Sequence, residues 1–161
     1  MSDIYSKNFF SGCLEVLKET GFPEVRLEDS SPVEKIEVVS SVGITGDIYG
    51  YFIIQTDKKN AQSFVDILME SMGMEPEAEF GSLTREAIGE ITNQISGRST
   101  ILLSQNGVDC DITPPTVMTG SNLLSTISNT EVNITKYING EFGSIGVYVG
   151  VKIIRKRQKV S

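Results

Sequence analysis

In the stretch "EAIGEITNQISGRS", residues 86 to 99, a carboxylate at Glu90 and an amide at Asn93 stand three residues apart within a segment of helical periodicity. On a helix that spacing stacks the two side chains one turn apart on the same side. Glu90 offers a fixed negative charge, and Asn93 offers a short amide that both donates and accepts hydrogen bonds. Glu86, Gly89 and Gly97 extend the same side. At about 100° per residue from Ile91, Glu86, Glu90, Asn93 and Gly97 fall between about 200° and 260°, with Gly89 at about 160°. Thr84, Ala87, Ile88, Ile91, Ile95, Ile101 and Leu102 gather opposite them and read as the buried stripe.

Two interior glycines cost such a helix about 1 kcal/mol each relative to alanine. Three readings compete for the strip. It is a docking surface, where the glycines let another backbone come close; or a helix–helix contact inside the fold; or a solvated face with incidental glycines. The composition favours docking, because a solvated face gains nothing from glycine and asparagine. Glu86, Glu90 and Asn93 also supply three oxygen donors for a cation, but no fourth ligand accompanies them.

What is missing narrows the chemistry further. The chain has no histidine, which removes Ser-His-Asp and Cys-His catalysis and most zinc sites. Neither GxGxxG nor GxxxxGK[ST] occurs, so the common nucleotide-binding loops are absent. Cys13 and Cys110 are isolated and read as small buried hydrophobes. A net charge of −7 argues against nucleic acid as a general ligand. The one basic cluster, Lys152, Arg155, Lys156, Arg157 and Lys159, reads as a solvated strand end and tail. Apart from it the chain is strongly acidic, so a partner docking on the body is expected to present a basic face. The N-terminal "MSDIYSKNFF" carries no basic segment leading into an apolar one, and no apolar run is long enough to span a bilayer. A cytoplasmic protein is expected.

The elements that must hold the strip follow from periodicity. With 161 residues and 39% hydrophobic composition the chain suits a single domain over residues 1–161. A helix is expected over Ser6–Thr20, stopped by Gly21-Phe22-Pro23, and a second over Lys59–Met72. The long helix carrying the strip begins near Ser82, where Ser-x-x-Arg makes a partial capping box, and ends at Asn106-Gly107. A hairpin precedes the second helix and breaks at Thr45-Gly46-Asp47. Short strands over Val108–Ile112 and Thr116–Thr119 lead through a Ser- and Asn-rich loop into a last hairpin, where Asn139-Gly140 asks for a type I′ turn. "ITGDI" from Ile44 and "INGEF" from Ile138 match in pattern, and each hairpin follows a helix. The fold class expected is α+β: an antiparallel-rich sheet with helices packed on one face and a pseudo-two-fold relating duplicated helix–hairpin units.

Glu90-x-x-Asn93 on a long helix, with Pro114 and Pro115 some twenty residues on and the hairpins duplicated around it, resembles the CheC/CheX/FliY family. The order of elements is similar to the CheX branch over nearly the whole chain. "SKNFFSGCLEVLKETG", the first helix, has no ExxN, so each chain carries one such site, as in that branch. Glu86 stands where the family pattern has Asp or Ser, and the proline falls about one residue early.

The resemblance implies a phosphatase for the aspartyl phosphate of a CheY-type response regulator. In that reading Asn93 holds the attacking water, Glu90 pairs with a basic residue of the receiver, and Glu86, Gly89 and Gly97 line the docking strip. The chain needs no cofactor of its own, since the receiver supplies Mg²⁺. The partners implied are a phosphorylated CheY-like receiver and a second copy in a homodimer, with no nucleic acid and no membrane insertion. The alternative is a receiver-binding or flagellar-switch adaptor that uses the same face without catalysis.

Overall fold

The computed structural model describes residues 4–30, 35–121, 123 and 131–154. In chain order the elements are α1 (Ile4–Glu19), β1 (Arg26–Glu28), β2 (Val38–Gly46), β3 (Ile48–Thr56), α2 (Lys58–Ser71), α3 (Ser82–Gln105), β4 (Cys110–Ile112), β5 (Thr116–Thr119), β6 (Val132–Gly140) and β7 (Gly143–Ile153). The seven described strands form one antiparallel sheet in the order β1-β6-β7-β3-β2-β4, with β5 also paired to β2. None of the described helices is long and apolar enough to cross a membrane. Four of the basic residues noted above, Arg155 to Arg157 and Lys159, lie outside the described residues, as does most of the Ser- and Asn-rich loop.

Alternation along the strands builds the core. Val38, Val42 and Ile44 of β2, Phe52 and Ile54 of β3, and Val147, Val149 and Val151 of β7 all point to one face and are buried there. Register aligns them in rows, Val42 opposite Phe52 and Phe52 opposite Val149. The three helices cover that face. From α1 come Phe9, Phe10, Cys13 and Leu17, and from α2 Ala61, Phe64, Val65, Leu68 and Met69. Phe9 stacks on Phe52 with ring centres 5.3 Å apart.

The two hairpins meet through β3 and β7 at the centre of the sheet, with β2 and β6 outside them, which is the arrangement a pseudo-two-fold requires. The matched pentapeptides sit at the two hairpin tips. Their apolar positions, Ile44 with Ile138 and Ile48 with Phe142, are all buried.

Two turns differ from expectation. The second hairpin does not turn at Asn139-Gly140; Gly140 pairs with Gly143 and the loop is Glu141-Phe142. Phe142 decides the register, because it is buried against Phe22 and Phe64 in an edge-to-face aromatic cluster at 5.6 and 5.2 Å. Nor does Ser82 cap α3. Gly81 occupies the cap position without a side chain to offer, and Glu77 reaches in from the preceding loop instead. Its Oε1 accepts from Thr84 N–H at 2.7 Å and from the Thr84 hydroxyl at 2.9 Å. The far end of α3 closes as the sequence suggests: Gly107, at φ 81°, and buried Val108 return N–H groups to Ser104 and Leu103.

Candidate functional site

Helix α3 carries every candidate residue, and its rotation about its own axis decides which of them face outward. Thr92, Ser96 and Ser99 are fully buried together with Ile88, Ile91, Ile95 and Leu103. Hydroxyls can be buried at little cost where each finds a backbone carbonyl one turn back. Thr92 donates to Ile88 O at 2.7 Å, Ser96 to Thr92 O at 2.8 Å and Ser99 to Ile95 O at 2.7 Å. Since the Thr92 hydrogen is committed to Ile88, Ser40 on β2 donates the 2.7 Å bond that joins it to Thr92. This buried bond fixes α3 against the sheet at the residue next to Asn93.

Helix α1 packs against the same hydroxyl row. A Cβ on Gly12 would collide with Ser99 Oγ and lie 3.2 Å from Ile95 O, so glycine is what permits the close approach of α1 and α3. Arg98 then clamps the two helices from outside, with Nη1 3.0 Å from Glu15 and Nη2 2.8 Å from Glu19.

The stripe is therefore rotated from the expected one by about 80°, nearly a right angle. Ile101, expected inside, is 56% exposed. Gly89, expected on the outer strip, is buried; a Cβ there would stand 3.3 Å from Val117 and 3.7 Å from Pro115. Its glycine serves a contact within the fold, which is the second of the three readings open to the strip. The remaining candidates do share the outer face. Glu86 and Glu90 are exposed, and Asn93 and Gly97 are half-buried. A Cβ on Gly97 would meet nothing within 4 Å, so the fold itself does not ask for glycine there.

The two glycines should separate in the laboratory. Gly89→Leu forces a side chain into Val117 and Pro115, and overpacking of that kind costs about 1–3 kcal/mol. Gly97→Leu should leave the free protein as stable or slightly more so, because leucine is the better helix former. Thermal melts of both variants check this; equal destabilisation would mean that Gly97 too is packed from within.

Asn93 lines a shallow groove between α1 and α3 with Val16, Glu19, Gln94, Gly97 and Arg98. Among the described residues its side chain has no hydrogen-bond partner, while Glu90 accepts only from Gln94, at 3.2 Å. The amide, and all of the carboxylate's accepting capacity but one bond, are thus left open by the described residues. No described cluster of three or more acidic or sulfur side chains could hold a metal ion. Neither cysteine is a nucleophile near neutral pH: burial pushes the Cys13 thiol up to about 12. Burial, with Asp111, Asp47 and Asp109 nearby, pushes Cys110 up to about 11.

Periodicity alone missed Gln94, the Arg98 clamp and exposed Ile101. The signal that could have found them is the hydroxyl spacing at 92, 96 and 99, which marks a buried helix face as clearly as isoleucines do.

Known proteins bear on this geometry. The family described as chemotaxis phosphatase CheX matches residues 38–137, a span that contains all of α3. The CheY-P phosphatase CheX of Thermotoga maritima is 34% identical over 113 residues, 68% of this chain and 71% of that one. In fold, the chain is similar to the chemotaxis protein CheX of Vibrio vulnificus, with a TM-score of 0.78 at 19% identity, covering 94% of this chain and 100% of that one. It is also similar to the CheX–CheY–BeF3–Mg²⁺ complex of Borrelia burgdorferi, with a TM-score of 0.74 at 22% identity over 92% of this chain and 97% of that one. With more than half of its length matched and a relative this near, the chain belongs to the chemotaxis phosphatase CheX family.

Proposed function

We propose that this protein hydrolyses the aspartyl phosphate of a CheY-type receiver domain, with Asn93 holding the attacking water. The observation that carries the reading is an amide on an outward helix face, one turn from a carboxylate, with no hydrogen-bond partner of its own among the described residues. The named activity of the Thermotoga relative and the CheY-bound Borrelia homologue support it.

An acyl phosphate is already activated, so the step still missing is placement of a water in line with phosphorus. Positioning of that kind can contribute several kcal/mol. The Asn93 carbonyl accepts one hydrogen of the water and aims its lone pair. The water oxygen forms the new bond to phosphorus, the bond from phosphorus to the aspartyl oxygen breaks, and the water's proton leaves with phosphate. Glu90 pairs with a basic residue beside the phosphorylated aspartate and sets the register of docking. Mg²⁺ arrives with the receiver and neutralises phosphoryl charge. No nucleophile is needed from this chain, which fits one with no histidine and two inert thiols. Gly97 gives the receiver room beside Asn93, so Gly97→Leu should weaken receiver binding while keeping the fold. The reading puts the protein in the cytoplasm and, through the family, in a homodimer, which sedimentation of the free chain would check.

The test is decay of a phosphorylated receiver with and without the protein, run in water enriched in heavy oxygen. Faster decay, heavy oxygen in the released phosphate and no phosphate on this chain are expected. An unchanged decay rate, or phosphate transferred to this chain, would refute the reading.

A further inference from the structure

Eight residues beyond Asn93 on the same outward face stands Ile101, 56% exposed. The two are about 12 Å apart along the helix, and Ile101 lies within about 20° of Glu90 in rotation. A single exposed isoleucine needs no explanation by itself. Three features make this one informative. Between it and Asn93 lies Gly97, a gap where an added side-chain carbon meets nothing within 4 Å. Gap and ridge one turn apart are the surface into which a ridge of another helix fits. Beside Ile101 opens a depression of about 540 Å³ whose walls include Thr100, Ser104, half-buried Cys110 and the carboxylate-bearing Asp111. Finally, Ile101, Gly97, Gln94 and Glu90 form one continuous line with the candidate catalytic residues, so any partner seated at Asn93 already reaches toward it.

We infer that the receiver contact extends along α3 from Asn93 to Ile101, and that a helix of the receiver crosses at Gly97. That helix sets an apolar side chain against Ile101 and a lysine or arginine toward Asp111. The inference rests on the receiver-docking reading above and assigns Ile101 a part in affinity, not in chemistry. Covering an exposed apolar side chain at a contact contributes affinity through the area taken from water, whereas rim charges chiefly steer encounter. Ile101 therefore adds affinity for a receiver helix that is apolar with a basic flank toward Asp111.

The experiment compares wild type with Ile101→Glu and Ile101→Ala. It measures binding to a receiver carrying beryllofluoride and Mg²⁺, the kcat and KM for the phosphorylated receiver, and sedimentation of the free chain. Ile101→Glu should weaken binding and raise KM by about tenfold or more, with kcat at saturation unchanged. Ile101→Ala should give a smaller shift in the same direction, and it serves alone if the glutamate variant does not fold. Unchanged affinity and KM in folded variants would overturn the inference. So would a change in self-association without a change in receiver affinity, which would assign the face to a second copy. If wild type binds the receiver but does not accelerate its dephosphorylation, the catalytic reading fails, and the binding comparison still decides the role of Ile101. If wild type does not bind the receiver at all, both are overturned.

Discussion

Asn93→Ala should remove the acceleration of receiver dephosphorylation while leaving most of the receiver affinity in place. The amide's work is to hold a water whose alignment matters chiefly in the transition state, so kcat falls and binding does not. Losing that placement is expected to cost about 2–4 kcal/mol, roughly a 30- to 1000-fold drop in rate. Asn93→Gln should be nearly as damaging, because one added methylene moves the amide by about 1.5 Å. Stability should hold, since Asn93 makes no side-chain hydrogen bond to another described residue and alanine is the better helix former. Single-turnover loss of phosphate, with a thermal melt of each variant, separates these outcomes. A wild-type rate in Asn93→Ala would leave only the adaptor reading.

Glu90→Lys is the second large effect, and it acts on docking. Glu90 is exposed and, among the described residues, bonded only to Gln94, so the free protein has little to lose by the change. In the complex the new lysine would face the receiver's basic residue, and like charges brought together at a desolvated contact cost several kcal/mol. Glu86→Lys should be milder, because Glu86 stands a full turn further from Asn93 along α3. Affinity for the beryllofluoride-bound receiver, measured at low and high salt, distinguishes the two. Equal, salt-independent affinities for wild type and Glu90→Lys would rule out the pairing.

The contrast between Gly89 and Gly97 shows how far the residues themselves could be read. Helical and alternating periods located the three helices within a residue or two and both hairpins in outline, because Phe9, Phe64, Ile91 and Val149 lie on faces that only one geometry can bury. The Ile44 and Ile138 repeats foretold the symmetry of the sheet for the same reason. The rotation of α3 was not legible from apolar residues alone. Thr92, Ser96 and Ser99 are buried by satisfying their hydroxyls within the helix, and they pull Gly89 inward while turning Ile101 out. The Glu77 cap, the Ser40–Thr92 bond and the three-residue β1 depend on tertiary partners, which no local pattern encodes. The outward placement of Glu90 was legible because it stays on the open face after the rotation, whereas Asn93 comes to the edge of that face and is half-buried.

Catalysis and docking part most clearly in a turnover measurement, in which the phosphorylated receiver is present in large excess over this protein and its acyl phosphate is followed to completion. A catalyst placing water with Asn93 should clear the whole receiver pool at a rate proportional to its own small concentration, and Asn93→Ala at the same concentration should not. Loss of phosphate no faster than the receiver's own decay, or loss that stops after one receiver per chain, would contradict the account.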